Sequence, residues 1–148
     1  MNLTEKINAE IMTAMRAKDA VRLRGLRAVK AAILLANTDG TGKEMDDERE
    51  IALLQRLIKQ RKESLLVFET QNRPELAQVE SEEIAVIMEF LPQQLDREAV
   101  ESIIKNIITT TGATSMKDMG KVMGAANKEL GGKAEGKLIS EVVKALLQ

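Results

Sequence analysis

The sequence contains no cysteine and no histidine among its 148 residues. The absence of cysteine excludes disulfides, thiolate zinc sites and thiol nucleophiles. The absence of histidine removes the commonest general base and metal ligand. We therefore expect no catalytic residue, no metal site and no cofactor in this chain.

Aromatic residues are almost absent as well, because there is no Trp or Tyr and the two Phe residues are Phe68 and Phe90. A core must therefore be built from Leu, Ile, Val, Ala and the eight Met residues. Since strands favour β-branched and aromatic residues, this composition favours packed helices. It also removes the side chains on which the bases of single-stranded nucleic acids stack.

Long apolar runs are missing too. None approaches the roughly 20 residues that span a membrane, and Met1–Lys6 lacks the basic and apolar parts of a secretory signal. Together with the absence of cysteine, which suits a reducing compartment, these features predict a cytoplasmic protein with no membrane partner.

Apolar residues recur every three or four positions through most of the chain, which is the periodicity of an α-helix. Before Pro92 the pattern predicts four helices, with turn residues at Asn37–Gly42. The second helix follows Asp19, the third covers about residues 46–70, and the fourth begins at Pro74 and ends near residue 90. The residues expected to face inward in the first three helices are Leu3, Ile7, Ile11, Ala14 and Met15, then Val21, Leu26, Val29 and Ile33, then Leu54, Ile58, Leu65 and Phe68.

The segment Leu91-Pro-Gln-Gln-Leu-Asp96 separates these helices from the rest of the chain. Pro92 cannot continue a helix, and Asp96 can cap the next one. We place a domain boundary here, between residues 1–91 and residues 96–148. The second domain is predicted to hold three helices, at about residues 96–111, 115–130 and 133–147. The expected fold is all-α, a helical bundle followed by a small three-helix domain.

Lysines mark the outer faces of the last two predicted helices. Net charge differs little between the halves, at −2 for residues 1–91 (14 Lys and Arg, 16 Asp and Glu) and +1 for residues 92–148 (8 and 7). At about 100° per residue, however, two sets each fall on one stripe: Lys117, Lys121, Gly124 and Lys128, then Lys133, Lys137, Ser140 and Lys144. These stripes predict contact with RNA phosphates. The alternative is that the lysines only solvate amphipathic helices.

Gly120 and Gly124 stand one turn apart inside the same predicted helix. Each costs about 1 kcal/mol of helix stability relative to alanine, so another interaction must favour them. Close packing of a neighbouring helix is one explanation, and close approach of a ligand backbone is the other.

Arg61 falls among the apolar residues of the third predicted helix. A charge at such a position must be paired or must face a cleft. We expect an ion pair with an acidic residue such as Glu80 or Glu82. A second candidate RNA patch combines Arg61 with three residues expected to be exposed on the second helix, Arg24, Arg27 and Lys30.

Several blocks of the sequence resemble the YqeY family, in the same order along the chain. They are Lys59-Gln-Arg-Lys-Glu-Ser64, Arg73-Pro-Glu-Leu76, Phe90-Leu-Pro-Gln-Gln-Leu95, Asp118-Met-Gly-Lys-Val-Met-Gly124 and Gly132-Lys-Ala-Glu-Gly136. The resemblance implies a two-domain helical protein whose carboxy-terminal part is similar to the tail of the tRNA-contacting appendage in the tRNA-dependent amidotransferase. It also implies a link to carbon–nitrogen ligases that use glutamine as the amide donor, although these residues supply no active site for that reaction.

The sequence thus favours a non-catalytic accessory module that binds tRNA or another folded RNA through its last two helices. Two other hypotheses stay open. The chain could act together with an amidotransferase or an aminoacyl-tRNA-related protein, or it could be a protein-interaction scaffold.

Overall fold

The computed structural model describes residues 2–40 and 45–148. Over these residues the secondary structure is helical and no strand forms, apart from one isolated bridge between Gly131 and Ala134. The predicted all-α fold is confirmed. The chain forms two compact units, Met1–Leu91 and Pro92–Gln148.

The described part of the first unit consists of the helices α1 (Leu3–Ala17), α2 (Ala20–Asn37), α3 (Asp47–Thr70) and α4 (Pro74–Met88). The side chains of Asn2, Asp19 and Asp46 each accept a hydrogen bond of 2.8 to 3.0 Å from a first-turn amide and so fix where α1, α2 and α3 begin. Within the predicted turn, Asn37 is instead the last residue of α2, and residues 41 and 42 lie outside the described part.

The core of the first unit is formed by helices that pack in pairs, α1 on α2, α2 on α4, and α3 on α4. Its buried residues are Leu3, Ile7, Ala14, Leu26, Val29, Ile33, Leu53, Leu54, Leu57, Ile58, Ile84, Val86 and Ile87. Two residues predicted to face inward do not, because Met15 is 53% exposed and Val21 is 40% exposed. Met15 stands about 100° around α1 from the buried Ala14, and Val21 about 140° around α2 from the buried Leu26.

Gly25 allows α2 to approach α4 closely. A Cβ atom at Gly25 would lie 2.9 Å from Cβ and 3.0 Å from Cγ1 of Val86, well inside the roughly 3.5–4.0 Å of ordinary carbon–carbon contact. Both residues are buried. The interhelical distance at this crossing is therefore set by the absence of a side chain on α2.

The second unit contains α5 (Arg97–Thr111), a 3-10 helix (Met116–Asp118), α6 (Met119–Leu130) and α7 (Gly136–Leu147). Both α6 and α7 begin later than predicted. The chain after Ser115 first makes the 3-10 turn, and Gly132, with a φ of 83°, turns the chain before α7 can start. Gly112 ends α5 in the left-handed conformation, with a φ of 72°.

The segment that follows Pro92 is bound to the loop before α7. The side-chain amide of Gln94 donates to the carbonyls of Pro92 and Gly132, at 2.8 and 2.7 Å. The N–H of Leu95 donates to the carbonyl of Lys133 at 2.8 Å. The three helices pack on one another around a core of Val100, Ile104, Ile107, Val122, Ala126, Leu130, Ala134, Ile139, Val142, Val143 and Leu147.

Gly25→Ala should destabilise the protein, because the added methyl group has no room beside Val86. Overpacking costs about 1–3 kcal/mol, which outweighs the roughly 1 kcal/mol that alanine gains over glycine in a helix. Urea unfolding followed by circular dichroism should show a net loss of about 1 kcal/mol. Gly124→Ala is the matched control, since nothing lies within 4 Å of its added Cβ, and it should be neutral or stabilising. Equal stability of Gly25→Ala and the wild type would contradict the close α2–α4 crossing.

Candidate nucleic-acid interface

Six lysines predicted to contact RNA are all exposed on the second unit: Lys117 in the 3-10 helix, Lys121 and Lys128 on α6, Lys133 in the following loop, and Lys137 and Lys144 on α7. None of them has a carboxylate within ion-pair distance among the described residues. One is partly engaged, because Nζ of Lys121 donates to the carbonyl of Thr111 at 3.3 Å. These cations can therefore meet an anion without first breaking an ion pair.

The outward side of α6, which we call the α6 face, is formed by Gly120, Lys121, Gly124, Asn127 and Lys128, all of them exposed. The opposite side is fully buried, with 0% exposure at Val122, Ala126 and Leu130. Within α6 the acidic residue is Glu129, which stands about 100° around the helix from Lys128. Asn127 was not singled out in the sequence, although its spacing of three from Gly124 places it on this face. The α6 face is therefore positive and has a low profile.

The two glycines of the α6 face do not serve close helix packing. A Cβ atom built at Gly120 or at Gly124 would meet nothing within 4 Å. The interpretation that a neighbouring helix requires them is thus wrong, because helices α5 and α7 contact the other side of α6. Two residues that weaken the helix remain at its surface with bare backbone toward solvent.

The lysine row of α7 is less uniform. Lys137 and Lys144 are exposed, and Ser140 between them is half-buried. Glu141 lies on the same side, and its carboxylate is 3.6 Å from Nη1 of Arg97. An acidic residue therefore interrupts the positive row of α7, in contrast to the α6 face.

The second candidate patch is divided by ion pairs, beginning with Arg61. Nε of Arg61 lies 3.2 Å from Glu83, and its Nη1 donates to the carbonyl of Leu57 at 3.2 Å. The side chains of Arg61 and Glu83 are only 17% and 13% exposed. An ion pair for Arg61 is found as expected, but the partner is Glu83 and neither Glu80 nor Glu82.

Arg24 is half-buried, which corrects the expectation of an exposed side chain. Its Nε lies 3.6 Å from Glu83 and its Nη2 lies 3.8 Å from Glu82. Both nitrogen atoms are buried without a hydrogen-bond acceptor, because these distances exceed those of hydrogen bonds. Arg27 and Lys30 are exposed, so the four cations of the predicted patch do not form one open surface.

Glu80 lies in the same charged cluster. Partial burial raises the pKa of its carboxyl group and the negative charge of Glu83 raises it further, while Arg61 and Arg24 act in the opposite direction. The folded state therefore favours the protonated form. This contribution to stability is greatest at acid pH and is lost as the pH rises through the raised pKa.

Two other kinds of site were sought in the described ranges. Over residues 2–40 and 45–148, no group of three or more acidic, histidine or cysteine side chains is arranged to hold a metal ion. No helix in these ranges has both the length and the apolar character needed to cross a membrane.

Residues 4–147 match the Yqey-like protein family. The chain belongs to this family. The match extends through both units, so the lysines of the second unit and the ion pairs of the first lie within the family region.

Three fungal relatives carry the same name, "Altered inheritance of mitochondria protein 41, mitochondrial". The protein from Lachancea thermotolerans is 31% identical over 105 residues, which are 70% of this chain and 56% of the relative. The protein from Vanderwaltozyma polyspora is 27% identical over 120 residues, 76% of this chain and 64% of the relative. The protein from Meyerozyma guilliermondii is 35% identical over 85 residues, 57% of this chain and 44% of the relative. The chain thus spans about half the length of these relatives.

The expectation of a cytoplasmic location is wrong, since all three relatives are named as mitochondrial proteins. The prediction rested on the lack of cysteine and of a secretory signal. Neither feature separates the cytoplasm from other compartments in which thiols stay reduced.

Arg61→Ala should lower the free energy of unfolding by about 2 kcal/mol. This value lies between the small cost at an exposed pair and the 3–5 kcal/mol at a buried one, because Glu83 keeps Arg24 as a second partner. Arg56→Ala is the control, since Arg56 is an exposed arginine of the same helix, and it should change stability by less than about 0.5 kcal/mol. If the two variants unfold at the same urea concentration, the Arg61–Glu83 pair contributes no stability.

Proposed function

We propose that this protein is a non-catalytic accessory module that binds folded RNA, tRNA in the first place, through the phosphate backbone. The observation that supports this proposal is the α6 face, where lysines without carboxylate partners flank exposed glycines. In the first unit, by contrast, Arg22, Arg24 and Arg61 are all engaged by glutamates.

Phosphate binding suits these lysines energetically. Each ammonium group that neutralises a phosphate releases condensed counterions, and this release drives the association at low salt. Lys121 and Lys128 are seven residues apart, which is about 10 Å along the helix axis. Their side chains can thus reach phosphates about three nucleotides apart on one strand, at 3.4 Å per nucleotide.

The glycines of the α6 face allow the ligand to come close. An RNA backbone that lies across Gly120 and Gly124 meets helix backbone and no side chain, so the flanking ammonium groups are not held away from the phosphates. This role accounts for two residues that weaken the helix and that no packing contact in the second unit requires.

The resemblance of residues 96–148 to the tail of the tRNA-contacting appendage in the amidotransferase supports tRNA as the first ligand to test. Under this proposal the chain presents RNA to a partner and does not itself transfer nitrogen. Ammonia transfer that requires the chain together with an amidotransferase would favour an enzyme component instead. Capture of a protein without RNA would favour the scaffold.

Replacing Lys117, Lys128, Lys137 and Lys144 with alanine should weaken tRNA binding without unfolding the protein. All four are exposed, and Lys121 is kept because of its bond to Thr111. The slope of log K against log salt should fall by about three units, since each phosphate contact contributes about 0.7–0.9. Fluorescence anisotropy of a labelled tRNA, titrated at several salt concentrations, measures this slope.

The control carries the same loss of charge at exposed lysines outside the interface: Lys6, Lys30, Lys59 and Lys105. It should leave the slope within about one unit of the wild type. Equal losses from both variants would mean that only net charge matters. No saturable tRNA binding by the wild type at low salt would remove the RNA proposal altogether.

Gly124→Ala should separate binding from stability. The methyl group fills open space on the α6 face, so the helix should gain up to about 1 kcal/mol, while the RNA backbone is pushed away from the lysines. We expect a melting temperature equal to or above that of the wild type, together with tRNA binding weakened by about tenfold, or about 1.4 kcal/mol. Unchanged affinity in a stabilised variant would show that the ligand does not lie on this glycine.

A further inference from the structure

Resting on the proposed function, we infer that the RNA is bound as a base-paired stem, through its phosphates and without reading of the base sequence. The chemistry of the groups that the second unit presents leads to this ligand class.

The first step concerns stacking. Both aromatic residues of the chain, Phe68 and Phe90, precede Pro92 and belong to the first unit. Proteins that hold single strands stack successive bases on aromatic side chains, and each stacked base contributes about 1–3 kcal/mol. The second unit has no such group to offset the entropy lost when a flexible strand is ordered.

The second step concerns arginine, which can also stack on bases and bond to them in a planar fork. The second unit has one arginine, Arg97. Its Nε lies 3.1 Å from Glu101 and its Nη1 lies 3.6 Å from Glu141, so this guanidinium is already engaged by two carboxylates. The cations that remain without partners are lysines, whose ammonium groups act as point charges and match phosphates better than base edges.

The third step concerns shape and charge density. A duplex carries about one negative charge per 1.7 Å and holds its phosphates in a fixed array. Lysines in a row along a rigid helix suit such an array, because neither partner must be ordered on binding. In RNA duplexes the major groove is deep and narrow, so contact falls on the phosphates and the shallow minor groove. On the α6 face the one side chain able to read a base edge is Asn127.

The experiment uses the full chain and four fluorescein-labelled probes at low salt: two RNA duplexes of about 14 base pairs with unrelated sequences, and one unstructured strand from each. We expect each duplex to bind at least about tenfold more tightly than its strand, and the two duplexes to agree within about twofold. Strands that bind as well as the duplexes, or duplexes that differ by more than about tenfold, would overturn the inference.

Asn127→Ala is the matched variant for sequence reading. It should leave the ratio of the two duplex affinities unchanged, whereas a changed ratio would show base contact and contradict the inference. A tRNA probe measured in parallel separates the two proposals. If tRNA binds and the single strands outcompete the duplexes, the stem inference fails alone, and if no probe binds, the proposed function fails with it.

Discussion

One carboxylate, that of Glu83, holds together the charged side of the first unit. It lies 3.2 Å from Arg61 of α3 and 3.6 Å from Arg24 of α2, so a single residue of α4 ties two other helices to that helix. The remaining packing depends on α4 in the same way, because α2 and α3 both pack on it. The α4 sequence, Pro74–Met88, carries four glutamates and no basic residue, and such a helix needs cations from its neighbours to relieve the repulsion among its own side chains.

The two kinds of cation are used differently in the two units. The ion pairs described above all involve arginine, whose planar fork suits partly buried carboxylates, as at Arg22 between Glu10 and Glu89. The lysines of the second unit are exposed and have no such partners. Arginine therefore stabilises contacts between helices in the first unit, while the exposed lysines leave the second unit with positive charge directed toward solvent. This division is the physical basis for placing the candidate interface on α6 rather than on α2.

Much of the fold could be read from the sequence, since apolar periodicity, Asp19, Asp46 and Pro74 mark helices by local rules that hold without a partner. The late starts of α6 and α7 could not be read, because they depend on a 3-10 turn and on Gly132 turning the chain. The lysine positions on one side of α6 follow from spacing alone, whereas the choice of Glu83 over Glu80 as the partner of Arg61 depends on how α4 is rotated against two neighbours. The same limit applies to glycine: Gly25 against Val86 and Gly124 in the open look alike in sequence, and only tertiary contacts distinguish them.

The hydrogen bonds of Gln94 and Leu95 bear on where the second unit can be excised or grafted. A fragment that starts at Asp96 retains all three helices but loses the donors to the carbonyls of Gly132 and Lys133. The loop that precedes α7 would then have two acceptors served only by water. The short extended stretch after Pro92 is thus a structural component of the carboxy-terminal unit, and a transplanted copy should begin with that proline.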